Sequence, residues 1–257
     1  MMLLAIDIGN TNIVAGIFTE DKLLQQFRLT SDNNKSVDDY GIDIIEQLLT
    51  FGTDPKQLTN CIIGSVVPDL SEKIAAAVTK FSDAEILNIG NNVKLNIDTD
   101  LDNESEIGAD RLINAIAAFH KFQQSLIIID FGTATTFDII DQNGVYLGGV
   151  IAPGINLSLK ALHDMTAKLP RIEIKKQDFV IGKNTKEAMN SGVYFGYLSL
   201  IEGMIAKIKN ELASDVKVIM TGGLAPLFQE HLQLEIEQNL TLEGLNLIAS
   251  KNIYKRI

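Results

Sequence analysis

The sequence predicts an α/β protein made of two similar domains, and three observations carry that prediction. An internal repeat is present, apolar strand-like runs alternate with amphipathic helical segments, and 257 residues with 46% hydrophobic content suffice for two buried cores. In the repeat, Ile6-Asp7-Ile8-Gly9-Asn10-Thr11-Asn12 aligns without gaps on Ile129-Asp130-Phe131-Gly132-Thr133-Ala134-Thr135.

Each copy follows a short apolar run, Leu3 to Ile6 or Leu126 to Ile129, and leads into a second β-rich run, a polar turn and a third. The polar turn is Glu20-Asp21 in the first copy and Asn143-Gly144, a strong hairpin signal, in the second. Helical segments follow at Val37 to Phe51 and Leu70 to Phe81, with the buried-strand run Cys61 to Val67 between them. Asp110 to Phe122 is a further amphipathic helix, with Leu112, Ile113, Ile116, Ala117 and Phe119 on one side. After the second copy, Thr185 to Ala213 is the longest helical stretch, interrupted by Gly192, Gly196 and Gly203. Val216 to Met220 then forms a strand ending in Thr221-Gly222-Gly223, and Ala225 to His231 resumes a helix.

The charge balance of 22 basic and 33 acidic residues, net -11, has the wrong sign for gripping a polyanionic backbone, so nucleic acid is excluded as the main partner. The single cysteine, Cys61, permits no intrachain disulfide and sits in an apolar run as a small buried hydrophobe. Met1 to Ile8 holds Asp7 and no basic residue, unlike a secretion signal, and no apolar stretch reaches the roughly 20 residues of a membrane span, so a cytoplasmic protein is expected. His120, His163 and His231 lie on helical segments without metal-ligand spacing, and Asp98, Asp100 and Asp102 form an acidic loop lacking the glycine and glutamate of a calcium site.

Four segments offer chemistry. Asp7 ends a strand, and the turn after it can wrap a phosphate: Gly9 admits close approach, Asn10, Thr11 and Asn12 add donors, and Asp7 can hold Mg2+ through water. A plain hairpin capped by Asp and Asn has the same residues. The second copy, Asp130 to Thr136, offers hydroxyls where the first has amides, and Gly222-Gly223 clears side chains from where an adenine or ribose would lie. In Gly108-Ala109-Asp110-Arg111, Asp110 is either a first-turn acid or a general base for a substrate hydroxyl. Arg111 opposes the helix dipole and calls for an anion such as a substrate carboxylate. Neither a G-x-x-x-x-G-K-[ST] nor a G-x-G-x-x-G turn is present.

Two Asp-x-Gly hairpins followed by a late Gly-Gly turn resemble, in order, the phosphate 1, phosphate 2 and adenosine motifs of the actin-like ATPase superfamily. With Gly108-Ala109-Asp110-Arg111 between them, the chain resembles the type III pantothenate kinases, whose D-x-G-N-T, G-A-D-R, D-x-G-T-A-T and T-G-G motifs occur here in order from position 7 to 223. Ser65-Val66-Val67-Pro68 and Gly148-Gly149 through Pro153-Gly154 also look like family segments.

The resemblance implies two actin-like (ribonuclease H-like) domains, 1–118 and 119–257, with an ATP cleft between them, the packing of Asn246 to Ile257 being left open. It implies ATP-dependent phosphorylation of pantothenate to 4'-phosphopantothenate, the first step of coenzyme A biosynthesis, in a homodimer with substrate pockets at its interface. By that likeness Asp7, Ile8, Gly9, Asn10, Thr11, Asn12, Ile13, Val14, Thr133, Gly222 and Gly223 bind ATP. Gly108, Ala109, Asp110, Arg111 and Thr185 bind pantothenate, with Asp110 the catalytic proton acceptor. Asp130 helps hold a monovalent cation, K+ or NH4+, beside the Mg2+ near Asp7. One departure touches the substrate pocket: where members often carry Tyr and Pro, this chain has Leu101 and Glu104. A regulatory protein of the same fold and a kinase for another small hydroxy acid are the competing expectations.

Overall fold

The central strand of each sheet is apolar throughout except for one aspartate near its carboxyl end, the pattern of a strand buried on both faces. In the computed structural model, which describes residues 2–103 and 106–254, the first such strand is β1 (Met2–Ile8). It continues through hairpins into β2 (Asn12–Thr19) and β3 (Lys22–Thr30). β4 (Asn60–Ser65) pairs parallel to β1, and β5 (Glu85–Asn88) parallel to β4, giving the order β3-β2-β1-β4-β5.

The chain divides into two compact units. The first comprises Met1–Ile97, Asp102–His120 and Asn239–Ile257. Side chains alternate across its sheet. Leu4, Ile6 and Ile8 join a core with Tyr40, Ile44 and Leu48 of α1 (Val37–Thr50) and with Leu70, Ile74 and Val78 of α2 (Pro68–Phe81). Ser36 caps α1 through a capping box with Asp39, and Pro68 opens α2, where its missing N–H costs nothing. On the other face, Leu3 and Ala5 pack with Ile113 of α3 (Ala109–Phe122) and with Leu242, Leu245, Ile248 and Ala249 of α7 (Leu240–Tyr254).

The second unit, Asp98–Leu101 and Lys121–Gln238, repeats the plan. β6 (Leu126–Phe131), β7 (Ala134–Ile140) and β8 (Tyr146–Pro153) form the antiparallel meander. β9 (Lys217–Thr221) pairs parallel to β6 and β10 (Glu235–Ile236) parallel to β9, in the order β10-β9-β6-β7-β8. The repeat seen in seven residues of sequence therefore extends to five strands in matching order. One detail differs from the ungapped alignment. Asp7 pairs with Val14, whereas Asp130 pairs with Thr136, so the second hairpin is one residue shorter and its second strand is shifted by one position.

Between β8 and β9 lie α4 (Ile155–Asp164) and α5 (Thr185–Leu212), and α6 (Ala225–Leu232) follows β9. Helix α5 runs without interruption through Gly192, Gly196 and Gly203. A Cβ at any of the three would meet nothing within 4 Å, so these glycines mark an open face and not a break. The opposite face, with Val193, Tyr194, Tyr197, Leu198 and Ile201, is buried against Ile127, Ile129 and Phe131 of the sheet, and that packing outweighs the low helix propensity of glycine. Residues 98–101 join this unit because Asp98 O accepts from Tyr146 N at 2.8 Å and Asp100 N donates to Tyr146 O at 2.9 Å. Among the described residues no helix is long and apolar enough to cross a membrane.

Candidate active site

Asp7 sits between Ile6 and Ile8 on β1 and so faces the opposite side of the sheet, the side of Leu3 and Ala5. Past Ile8 the chain turns through Gly9-Asn10-Thr11 into β2, closed by Gly9 N–H donating to Asn12 O at 3.0 Å. Ser31, just beyond β3, holds the turn from its flank: its N–H donates to Thr11 O at 3.1 Å and its Oγ to Gly9 O at 2.6 Å. Asn10, Thr11 and Asn12 are exposed, while Ile13 is buried in the core and Val14 is half-buried opposite Asp7.

Two glycines bring α3 down onto the face that carries Asp7. Gly64 is the β4 residue in register with Asp7, and a Cβ there would lie 2.8 Å from Ile113 Cδ1 and 3.1 Å from Leu245 Cδ2. Gly244 on α7 would likewise meet Ile113 Cγ2 at 2.6 Å and Ala117 Cβ at 3.2 Å. Ile113 lies one helical turn after Asp110, so the first turn of α3 stands over the Asp7 end of β1. Gly108 confirms the placement: a Cβ on it would be 2.6 Å from Asp110 Oδ1 and 3.9 Å from Val66 Cγ1, and Val66 N–H donates to Ile8 O at 3.0 Å. The structure thus gathers Asp7 to Asn12 and Gly108 to Arg111 at the carboxyl ends of β1 and β4. This is where open α/β sheets place ligands.

Asp110 is half-buried and accepts from Arg111 N–H at 2.8 Å through Oδ1, so the carboxylate is turned toward the helix N-terminus, where negative charge is favoured. Asn114, one turn on and buried, accepts from Thr241 Oγ of α7 at 2.8 Å, which fixes the rotation of α3.

The second unit builds its turn the same way. Asp130 on β6 is in register with Thr136 and Thr221, and Gly132 N–H donates to Ala134 O at 3.0 Å. Gly222, at φ +90°, lies against the Asp130 carboxylate; a Cβ there would collide with Asp130 Oδ1 and come within 2.6 Å of Phe131 N. Gly154 lies equally close to the Thr133 and Gly132 carbonyls from the start of α4, leaving no room for a side chain. The preceding Pro153 O accepts from Tyr197 OH of α5 at 2.5 Å, which pins the strand end behind the turn. Thr133 and Gly223 are exposed.

Thr185 is the first residue of α5, beside the cap in which Asn184 Oδ1 accepts from Glu187 N at 3.0 Å. The segment before it is unusually apolar for a surface: Phe179 is 78% exposed, Val180 66% and Ile181 74%, with Met165 at 83%. Leu101 packs half-buried toward Gly148, with its Cδ2 3.4 Å from where a Cβ on Gly148 would stand. Glu104 lies outside the described residues.

Sequence reasoning did not mark Ser31, Gly64, Tyr197 or Gly244. Ser31 follows an ordinary strand, and the three others act through partners distant in sequence. Gly154 was visible only as part of a glycine-proline segment.

Residues 3–207 match the family model for type III pantothenate kinase. The chain belongs to the type III pantothenate kinase family. The type III pantothenate kinase of Geotalea daltonii is 41% identical over 253 residues, covering 98% of this chain and 99% of that protein. Among solved structures, a Baf family transcriptional activator from Campylobacter jejuni is similar at TM-score 0.59 with 24% identity, over 98% of this chain and 99% of that one. The activator of 2-hydroxyisocaproyl-CoA dehydratase from Clostridium difficile, solved with ADPNP, is similar at TM-score 0.53 with 12% identity, over 100% of this chain and 98% of that one. Identities this low carry the fold alone, an α/β fold with two five-stranded mixed sheets. Family membership rests on the near full-length identity to a type III pantothenate kinase and on the model match, which spans both Asp-x-Gly turns and the Asp110 helix.

Proposed function

We propose that this chain transfers the γ-phosphate of ATP to the primary hydroxyl of pantothenate, the first committed phosphorylation on the way to coenzyme A. The observation that carries the reading is the placement of Asp110 in the first turn of α3, over the sheet face and strand end that present Asp7 and its glycine turn. In that arrangement Asp110 accepts the proton of the attacking hydroxyl and orients it toward the phosphate. Residues Asp7 to Val14 contact the phosphates, and Thr133, Gly222 and Gly223 contact the nucleotide. Gly108 to Arg111 and Thr185 hold pantothenate, with Arg111 directed to its carboxylate.

The residues fit the cations the family uses. Among the described residues no cluster of three or more His, Cys, Asp or Glu could cage a metal. That suits Mg2+, which is commonly bound by one or two carboxylates, water and substrate phosphates, here through Asp7. Asp130, with Gly222 against its carboxylate and carbonyls close by, suits a larger monovalent cation such as K+ or NH4+. Bound cations neutralise charge on the transferring phosphoryl group.

Two actin-like domains, 1–118 and 119–257 with α7 packed back on the first, are part of the same proposal, as is a cytoplasmic homodimer. The exposed run Phe179 to Ile181 with Met165 is the apolar surface a partner copy would cover, and it adjoins Thr185 in sequence. The test is ADP release by the purified protein with ATP, Mg2+ and either K+ or Na+, with and without pantothenate. Pantothenate-dependent release that requires K+ is expected; release that another small hydroxy acid supports better would reassign the acceptor.

A further inference from the structure

Within the first glycine turn, the carbonyls of Gly9 and Thr11 are both tied to one residue. Ser31 Oγ donates to Gly9 O at 2.6 Å and Ser31 N–H to Thr11 O at 3.1 Å. The described chain has no cis peptide bond, and in a trans peptide the N–H points opposite to the C=O of the same plane. Holding the Gly9 and Thr11 carbonyls toward Ser31 therefore turns the N–H groups of Asn10 and Asn12 away from it, to one common side. Backbone N–H groups that face one way offer donors to a bound anion. A carbonyl in the same place would repel phosphate, and the Gly9-Asn10 peptide, flanked by a residue with no Cβ, is the one with most freedom to flip.

Ser31 is itself anchored. The hydroxyl of Tyr40, a fully buried residue of α1, accepts from Asp32 N–H at 2.8 Å and lies 3.0 Å from Asp32 O and 3.3 Å from Thr30 O. Lys73 of α2 donates to Asn33 O at 2.6 Å, bracing the loop that continues from Ser31. The turn is thus tied through the end of β3 and the loop after it to the helical layer behind the sheet.

We infer that Ser31 is a positioning residue for nucleotide binding, setting the peptide orientation that presents the Asn10 and Asn12 N–H groups to the phosphates. The inference rests on the proposed ATP-dependent function. It is tested by calorimetric binding of a non-hydrolysable ATP analogue with Mg2+ to the wild type, Ser31→Ala and Ser31→Thr, with thermal unfolding of each. Loss of one partly buried hydrogen bond predicts binding weakened roughly three- to tenfold in Ser31→Ala, with restoration in Ser31→Thr. Equal affinity of Ser31→Ala and wild type would overturn the inference while leaving the function intact, and so would an equal loss in both variants. Absence of binding by the wild type would instead sink the proposed function itself. Should Ser31→Ala not fold, Ser31→Cys, whose thiol is a weak donor, is expected to give a partial loss, and undiminished binding would count against the inference.

Discussion

The α-carbon of Gly222 rests against the carboxylate of Asp130, in a backbone conformation of φ +90°. Both facts exclude a side chain at 222, since L-residues disfavour that φ and a Cβ would strike Asp130 Oδ1 and the Phe131 backbone. Gly222→Ala is expected to cost at least about 1–2 kcal/mol of stability from backbone conformation alone, and more from the clash. Denaturant unfolding measures it. On the proposed cation role of Asp130, the same substitution should reduce activation by K+, because the carboxylate must move.

Asp110→Asn keeps the shape of the first turn of α3 but removes the carboxylate proposed as proton acceptor. Turnover is expected to fall by roughly two to four orders of magnitude while binding of an ATP analogue stays near wild type. Steady-state kinetics beside calorimetry separate the two; a variant that keeps more than a tenth of the activity would move the base elsewhere.

Gly64→Val would drive branched methyls into Ile113 and Leu245, where even a Cβ stands 2.8 Å and 3.1 Å from them. Destabilisation of about 1–3 kcal/mol is expected, read from the unfolding midpoint. Because α3 must lift to relieve the clash, the Michaelis constant for the acceptor should rise as well. Pairing the change with Ile113→Ala should recover part of the stability, the signature of direct contact.

Burial pushes the Cys61 thiol up from its ordinary range, since no solvent reaches the ion. A thiol-directed reagent at neutral pH should label the native protein only on unfolding. The linkage has a definite sign: the unfolded thiol ionises above about 8.5 and the folded one does not, so this group favours unfolding as pH rises past that value and contributes nothing below it. Cys61→Ala should flatten that alkaline loss.

The run Phe179 to Ile181 is expected to be a contact between copies. Replacing Phe179 and Ile181 together by Asp should convert a dimer to a monomer in sedimentation velocity while each chain remains folded. A monomeric wild type would remove the homodimer from the account.

Much of this fold was legible in the sequence because its signals are local. Apolar runs of strand length, the Asn143-Gly144 turn and the helical periodicity of residues 37–51 and 110–122 fall where β6 to β8, α1 and α3 stand. The repeat placed Asp7 and Asp130 on equivalent central strands, yet the ungapped alignment concealed the one-residue difference between the hairpins, which only pairing registers reveal. Gly192, Gly196 and Gly203 looked like interruptions of α5 because propensity is local, whereas the packing of Tyr194, Tyr197 and Ile201 is not.

The candidate site divides along the same line. Asp7, Gly9, Asp110 and Gly222 announce themselves by turn chemistry and helix position. Ser31, Gly64 and Gly244 act through contacts 22, 49 and 131 residues away in sequence, with Gly9, Ile113 and again Ile113 as partners, and no local pattern encodes such distances.

The most direct measurement is transfer of labelled γ-phosphate from ATP to pantothenate, followed in a single turnover for the wild type and Asp110→Asn side by side. Label appearing in 4'-phosphopantothenate with the wild type, and at most a trace of it with Asp110→Asn, is the predicted result. Label released only as inorganic phosphate, or transferred equally by both proteins, would contradict the account.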